Sequence, residues 1–328
     1  MAKGHRIALI RGDGIGHDVS DAAVAVIETA LKRIGMVPLR YEEISAGAGY
    51  YKDTGKDIEP GGEERAGEAD AIFLGAIGLP SIRHQDGTEI SPHLRIRDLY
   101  GLYAGVRPVK AYPNAPKRLA DPRAAQIDLV ILRESTEGLF YTASVHGRSD
   151  IRGDEEVRDT LRITRATTEK LHRFGFRLAE LRKAKGRPGL ITCVDKANVF
   201  ASMAFFRKIF DEIAMEFPNI KSGYNYIDAQ ALDLIRRPWD FDVLVMENMF
   251  GDILSDLAGG LVGGMGMAAC AEIGDEHGLF QPAHGSAPDI MGQDKANPLA
   301  AILSGALMLD YLAEKSGIGG YEDAALAV

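Results

Sequence analysis

Strand-length apolar runs and amphipathic helical stretches take turns along this chain, and that alternation limits the fold more than any other feature of the sequence. IALI at 7–10, DAIFLGA at 70–76, IDLVILRE at 127–134, GLITCV at 189–194 and FDVLVME at 241–247 are short and almost continuously apolar. Runs of that length and character read as strands covered on both faces. Between them, DVSDAAVAVIETALKRIG, VRDTLRITRATTEKLHRFGF and MAFFRKIFDEIAMEF repeat their apolar positions every three to four residues, the period of a helix with one buried face. The expectation is an α/β protein with a largely parallel sheet. No internal repeat and no Gly/Ser/Pro linker separates two independent halves, so the domains are expected to share elements. NAPKRLADPRAA and HGRSDIRGDEE read as surface excursions.

Composition narrows the function classes. Of 328 residues 46% are hydrophobic, enough for a substantial core, and a net charge of −9 opposes binding to nucleic acid. Cys193 and Cys270 are far apart, without metal-binding or redox spacing, which suits a reducing cytosol. The opening MAKGHRIALI lacks the apolar core of a signal peptide. LAGGLVGGMGMAACA at 257–271 is shorter than the ~20 residues of a spanning helix and dense in glycine, so it reads as buried or cleft-lining rather than as membrane.

The first apolar run leads into GDGIGHDV. A dinucleotide fingerprint needs a third small residue where helix and strand pack together, and His17 stands there. A strand–turn–helix unit is still expected, with apolar residues from Val19 to Ile34 and a C-cap at Gly35. The cofactor site has to be sought elsewhere.

Four stretches carry chemistry. In MENMFGDILSDLAGG, Asp252 and Asp256 stand four apart on a predicted helix and share a face, where a hard divalent ion such as Mg²⁺ or Mn²⁺ would relieve their repulsion. TCVDKANVF and YNYIDAQALDL follow strands and present Lys196, a candidate general base, and Asp228, a candidate metal ligand or proton partner. Arg97, Arg107 and Arg133, in LRIRDLYGLYAGVRP and ILRES, can bind carboxylates bidentately. In QPAHGSAPDIMGQDKANP, small turn-forming residues let backbone amides approach a ligand, and Asp289 can accept from ribose hydroxyls. Each stretch alone reads better as a surface charge or an ordinary turn; taken together, they describe a clamp for a polycarboxylate.

In order, GDGIG, the arginine run ending VRP, RESTEG, VDKANV, the Asp228 segment, FGDILSDL and HGSAPDI resemble the isocitrate and isopropylmalate dehydrogenase family, the metal-dependent β-decarboxylating dehydrogenases. The resemblance implies two intertwined α/β domains sharing a large sheet, not a Rossmann fold of the usual kind. Residues 1–102 and 263–328 would form the cofactor-binding domain, and 103–262 the substrate, metal and dimerisation domain. It also implies that GDGIG borders the cofactor cleft while the adenosine half lies against HGSAPDI.

By position, Arg97, Arg107 and Arg133 would hold the malate carboxylates, with Ser91 and His93 facing the variable substituent. Asp252 and Asp256 would bind Mg²⁺ or Mn²⁺ with Asp228 from a partner subunit, and that partner's Lys196 would handle the hydroxyl proton, so a homodimer with shared active sites is implied. His284, Gly285, Ser286, Ala287, Asp289 and Asn297 match cofactor-contacting positions, and an acid at 289 resembles the NAD-preferring members. The expected reaction is NAD- and metal-dependent oxidative decarboxylation of a 3-substituted malate, with 3-isopropylmalate first and isocitrate, homoisocitrate, tartrate and D-malate as alternatives.

Two departures stand out. Family members usually carry a tyrosine proton donor where this chain has Phe140; either the neighbouring Tyr141 serves, which is the reading taken, or water substitutes, or decarboxylation is weak, and the same departure raises the alternative of a non-catalytic regulatory subunit. The sequence ends at GYEDAALAV, where relatives continue through a glycine-rich segment, so some cofactor contacts are expected to be absent.

Overall fold

The computed structural model describes residues 4–116, 118–144 and 149–328, leaving aside the side chains of 143 and 144. Lys117 and residues 146–148, parts of the two surface excursions, lie outside the described residues, as does the very start of the chain. Two compact units are present, Met1–Leu102 with Met265–Val328, and Tyr103–Gly264.

The first unit opens with β1 (Arg6–Gly12), α1 (Gly16–Ile34), β2 (Arg40–Glu43), α2 (Ala48–Thr54), α3 (Gly62–Glu68), β3 (Ala71–Ala76) and α4 (Pro92–Leu99). The second contains β4 (Ala104–Lys110), β5 (Asp128–Glu134), α5 (Phe140–Ser144), β6 (Asp150–Arg152), β7 (Glu156–Arg158) and α6 (Arg165–Ala184). It continues through β8 (Leu190–Asp195), α7 (Ala201–Ala214), β9 (Lys221–Tyr226), α8 (Ile227–Arg236), β10 (Val243–Met246) and α9 (Asn248–Leu261). The chain then completes the first unit with β11 (Ala269–Ile273), β12 (Gly278–Pro282), α10 (Leu299–Ser316) and α11 (Gly320–Ala327).

In the first unit the strands run in the order β2-β1-β3-β12-β11, parallel except for β11 against β12. The apolar run at 7–10 is fully buried, as a strand covered on both faces must be, and Ile10, Ile72, Leu74, Ile96 and Leu279 belong to one core cluster. Helix α1 turns Val19, Ala23, Ile27 and Leu31 inward and stops at Gly35, whose φ of 80° is the left-handed cap anticipated from the sequence. Helix α10 lies against it, with Gly305 so near Ile27 that an added Cβ would stand 2.6 Å from Cδ1.

The second unit has the order β4-β5-β10-β8-β9, parallel except for β4 against β5. Its core gathers Ile131, Val194, Leu234, Leu244, Met246 and Leu254. The antiparallel pairs depart from the largely parallel expectation for a physical reason: β11 turns directly into β12 through a short turn closed by Gly274 N to His277 O, and no α-helix stands between β4 and β5 to carry the chain back for parallel entry. HGRSDIRGDEE, read as an excursion, carries β6 and leads into β7, which pairs with it as a two-stranded ribbon with every residue of both strands exposed. Among the described residues no helix is long and apolar enough to cross a membrane.

Candidate functional site

Most residues that the sequence singled out gather in three places, two in the second unit and one in the first. In the second unit β5 delivers Arg133 to the start of α9. That helix begins where the Glu247 carboxylate accepts the amides of Phe250 at 2.8 Å and Met249 at 3.2 Å, satisfying two donors that the first turn leaves open. Asn248, Asp252 and Asp256 then follow at four-residue intervals and share a face.

Arg133 is locked onto that face. Its Nε and Nη2 donate to Asn248 Oδ1 at 2.9 and 2.6 Å, its Nη1 donates to Asp252, and Asn248 Nδ2 donates to the Glu137 carbonyl at 3.0 Å. The arginine side chain is 3% exposed and the Asp252 side chain 45%, so a buried guanidinium meets a carboxylate that opens outward. Gly251 makes this possible: an added Cβ there would lie 2.6 Å from Arg133 Cβ. Asp256 remains accessible. What desolvation it does suffer, and then Asp252 one turn away, hold its carboxyl above the ordinary range, while the charges of Arg107 and Arg133 oppose the rise. Two carboxylates one turn apart on one face offer only oxygen and repel each other, which a hard divalent cation would relieve.

Lys196 follows β8 and Asp228 lies in the first turn of α8, a strand end and a helix start brought together by the parallel β8–β9 pair. Lys196 Nζ donates to Asp228 Oδ1 at 2.5 Å, and that bond is the first cause holding the Asp228 carboxyl below its usual range. Among the described residues of one chain, no three His, Cys, Asp or Glu side chains converge as metal ligands, so Asp228 does not join Asp252 and Asp256 within a single copy.

In the first unit the GDGIG turn is organised by Asp13. Its carboxylate, 5% exposed, accepts the amides of Ala48, Gly49 and Gly78, each at 2.8 Å. Gly14 passes so close to the HGSAPDI loop that an added Cβ would stand 2.1 Å from the Ser286 carbonyl oxygen, which accepts Ile15 N at 2.7 Å. The Ser286 hydroxyl donates to Gly78 O, and Ala287 adopts a left-handed φ of 33°. Ile77–Pro80, Ile82, Glu89, Ile90 and Gly285–Asp289 line a cavity of about 400 Å³ within this unit. His284 Nδ1 faces Gly285 O, its Nε2 is buried without a hydrogen-bond partner, and burial pushes the imidazole below its usual range, towards the neutral form.

Other predicted residues have different surroundings. Arg97, 5% exposed, pairs through Nη2 with the fully buried Glu272 at 3.0 Å, a partner that the sequence did not suggest. Ser91 occupies the N-cap position of α4 without capping it by its side chain, and His93 lies half-buried in the first turn. Arg95 is held by Asp57 at 2.7 and 3.0 Å and by Glu63. Asp289 is exposed, and Asn297 Oδ1 accepts Leu299 N at 3.1 Å, starting α10. Arg133 lies over the Phe140 ring at 4.8 Å, whereas the Tyr141 ring lies under Arg162 at 3.8 Å. It is thus Phe140 that stands beside the Arg133 guanidinium.

Sequence reasoning missed Asp13, Asn248, Gly251 and Glu272. Asn248 had a signal, the same four-residue spacing that drew attention to Asp252 and Asp256. Glu272 had none, because its partner is 175 positions away.

Residues 6–325 match the model of the isocitrate/isopropylmalate dehydrogenase family. Over 312 residues the chain is 43% identical to a 3-isopropylmalate/3-methylmalate dehydrogenase of Methanocaldococcus jannaschii, covering 94% of this chain and 86% of that protein. It is 39% identical to a 3-isopropylmalate dehydrogenase of Heyndrickxia coagulans, covering 93% and 83%. Its structure resembles that of isocitrate dehydrogenase from Methylococcus capsulatus, with a TM-score of 0.82, 35% identity, and 98% of this chain and 88% of the other covered. A β-decarboxylating dehydrogenase from Thermococcus kodakarensis gives a TM-score of 0.75, 36% identity, and 98% and 87% coverage.

Proposed function

The chain belongs to the isocitrate/isopropylmalate dehydrogenase family and is a decarboxylating dehydrogenase of 3-substituted malates, and from that premise we propose that its substrate carries a small apolar substituent, 3-isopropylmalate first, with NAD as oxidant and Mg²⁺ or Mn²⁺ at Asp252 and Asp256.

The observation that carries the choice of substituent is the state of α4, the helix assigned to face it. Its two arginines are already engaged, Arg95 by Asp57 and Glu63 and Arg97 by Glu272. A third substrate carboxylate, as in isocitrate or homoisocitrate, would have to compete with those pairs, whereas an alkyl group asks nothing of them. Assays of 3-isopropylmalate, 3-methylmalate, isocitrate, homoisocitrate, tartrate and D-malate with NAD and Mn²⁺ test this; alkyl-substituted malates should have the highest kcat/KM, and preference for a tricarboxylate overturns it.

The residues suit both groups. Asp252 and Asp256 offer only oxygen, on one face, one turn apart. The Asp13-held turn, the bare Gly14 and the buried, unpartnered His284 Nε2 make a backbone-lined cradle with one polar atom awaiting a partner. NAD would accept the hydride, and the divalent ion would polarise the substrate oxygen and stabilise the carbanion formed on loss of CO₂. Arg107 would fix one carboxylate, Arg133 would turn Nη1 to another once Asp252 is taken up by the cation, and Lys196 Nζ would take the hydroxyl proton and share it with Asp228 Oδ1. Asp289 would accept from the ribose hydroxyls. Tyr141 is our candidate for reprotonation of the carbanion, by leaving Arg162; Tyr141→Phe should lower decarboxylation by about tenfold or more with hydride transfer kept, and unchanged turnover in that variant removes it from the mechanism.

A homodimer completes the site, with Lys196 and Asp228 serving the partner's aspartates. Its support is the outer surface of the second unit: the unpaired edge of β9 carries exposed Tyr224 and Tyr226, helices α8 and α9 expose Leu232, Ile235 and Ile253, and the β6–β7 ribbon exposes Ile151 and Val157. The cytosol is the compartment that suits two buried free cysteines. Retention of the lysine, the three aspartates and the arginines argues against a non-catalytic regulatory role.

A further inference from the structure

We propose that the buried carboxylate of Asp195, gripped by Arg207, is a positioning residue for Lys196; the inference rests on reading Lys196 as the proton-transfer group.

Asp195 ends β8 and is completely buried, yet its carboxylate is fully engaged around the next residue. Oδ1 accepts Ala197 N at 2.8 Å, closing a turn whose middle residue is Lys196. Arg207, reaching across from α7, donates Nη2 to Oδ1 and Nε to Oδ2, both at 2.7 Å, a bidentate fork that fixes the carboxylate plane. The guanidinium is itself seated on rings, 4.7 Å from the centre of Tyr224 and 5.3 Å from that of Tyr226. Tyr226 pairs in register with Asp195 across β8–β9, and Lys196 Nζ lies 5.8 Å from the same ring before reaching Asp228.

Every step from the sheet to the ammonium is thus constrained: strand end, turn, fork, ring, partner carboxylate. Taking a carboxylate and a guanidinium out of water sets a desolvation cost against their attraction, so such a pair is weak as a source of stability and strong as a source of geometry. The geometry it fixes is the backbone on either side of Lys196.

Asp195→Asn keeps the shape and the Ala197 bond but turns an amide N–H toward an arginine that has only donors and cannot accept it. We expect kcat to fall by about tenfold to a hundredfold with KM for 3-isopropylmalate and NAD within about threefold, the mark of a misplaced reacting group rather than lost binding. Acetylation of Lys196 by an N-hydroxysuccinimide ester, followed by mass spectrometry, should accelerate severalfold relative to the other lysines as Nζ leaves Asp228. Arg207→Lys, which keeps the buried charge pair but loses the fork, should fall between wild type and Asp195→Asn and serves the same comparison if Asp195→Asn does not fold. A folded variant with both kcat and Lys196 acetylation unchanged overturns the proposal. If Lys196→Met retains turnover, the proton-transfer reading fails, while the acetylation rates still decide whether Asp195 holds the lysine.

Discussion

Asp13 in the first unit and Glu134 in the second are both buried carboxylates that accept three hydrogen bonds, yet they draw their donors from very different distances along the chain. Asp13 takes the amides of residues 48, 49 and 78, so one side chain fastens the first glycine turn to two remote segments. Glu134 takes the amide and hydroxyl of Thr136 and the amide of Glu137, two and three residues on, each at 2.7 Å. A long-range anchor offsets the entropy of closing large loops, whereas a local one only shapes a turn. The two neighbourhoods differ accordingly. The first unit's cradle is mostly backbone held by one acid, and the second unit's cluster is side chains that hold one another, with Arg133, Asn248 and Asp252 at its centre.

The sharpest way to test that contrast is to change the fork in the second unit. Arg133→Lys keeps the positive charge but cannot reach Asn248 and Asp252 together, so kcat/KM should fall by about a hundredfold or more with the fold intact, because a planar bidentate donor is not replaced by a point charge. Steady-state kinetics beside a melting curve measure it. A loss below threefold would mean that the cluster works by net charge alone and that the two units do not differ in this way.

Next comes the anchor of the first unit. Asp13→Asn turns an amide NH₂ toward a backbone N–H and leaves a donor without an acceptor, at a cost of about 1–3 kcal/mol. The expected reading is a KM for NAD raised by about tenfold, a lower melting temperature, and kcat at saturating NAD close to wild type. An unchanged KM for NAD would show that the turn holds itself together without its carboxylate.

Much of this contrast is legible in the amino-acid sequence, and the part that is not has a physical reason. Helix α1 and its glycine cap follow from local periodicity and from the backbone freedom of Gly35. The acidic face of α9 follows from spacing alone. Arg97 reads as part of the substrate clamp, but its pairing with Glu272 joins α4 to β11 and no local pattern announces it. In the same way Asn297, matched to the cofactor by position, turns its side-chain oxygen to the first turn of α10. The antiparallel pairs and the β6–β7 ribbon depend on which strands meet and through what connection, information that sits in the pairing rather than in any single segment.

A smaller effect follows from pH at the second of these carboxylates. Burial pushes the Glu134 carboxyl up to about 7, against the hydrogen bonds from Thr136 and Glu137 that pull it down, from an ordinary value of 4.5. A carboxyl whose folded value is raised contributes stability that is complete below pH 4.5 and is lost as the pH climbs through about 7. His172, buried between α6 and α7, is pushed down to about 3 from 6.5, so its contribution is present above pH 6.5 and is lost as the pH falls through about 3. The two slopes oppose each other between pH 4.5 and 6.5. Glu134→Gln removes one of them: the difference in melting temperature, variant minus wild type, should rise by a few degrees from pH 5 to pH 7 and then level off. A flat difference would mean that Glu134 is ionised in the folded protein throughout.

The mildest test separates hydroxyl from backbone within the first unit. Ser286 reaches Gly78 through its hydroxyl, but it also receives Ile15 N through its carbonyl, and Asp13 holds Gly78 independently. Ser286→Ala deletes only the first of these links, worth about 1 kcal/mol, so KM for NAD should rise by no more than about fivefold with kcat unchanged. If the cradle is backbone fastened by a carboxylate, this variant must fall well short of Asp13→Asn; if the two match, the hydroxyl is the fastening, and Asp13 only fills the space beneath it.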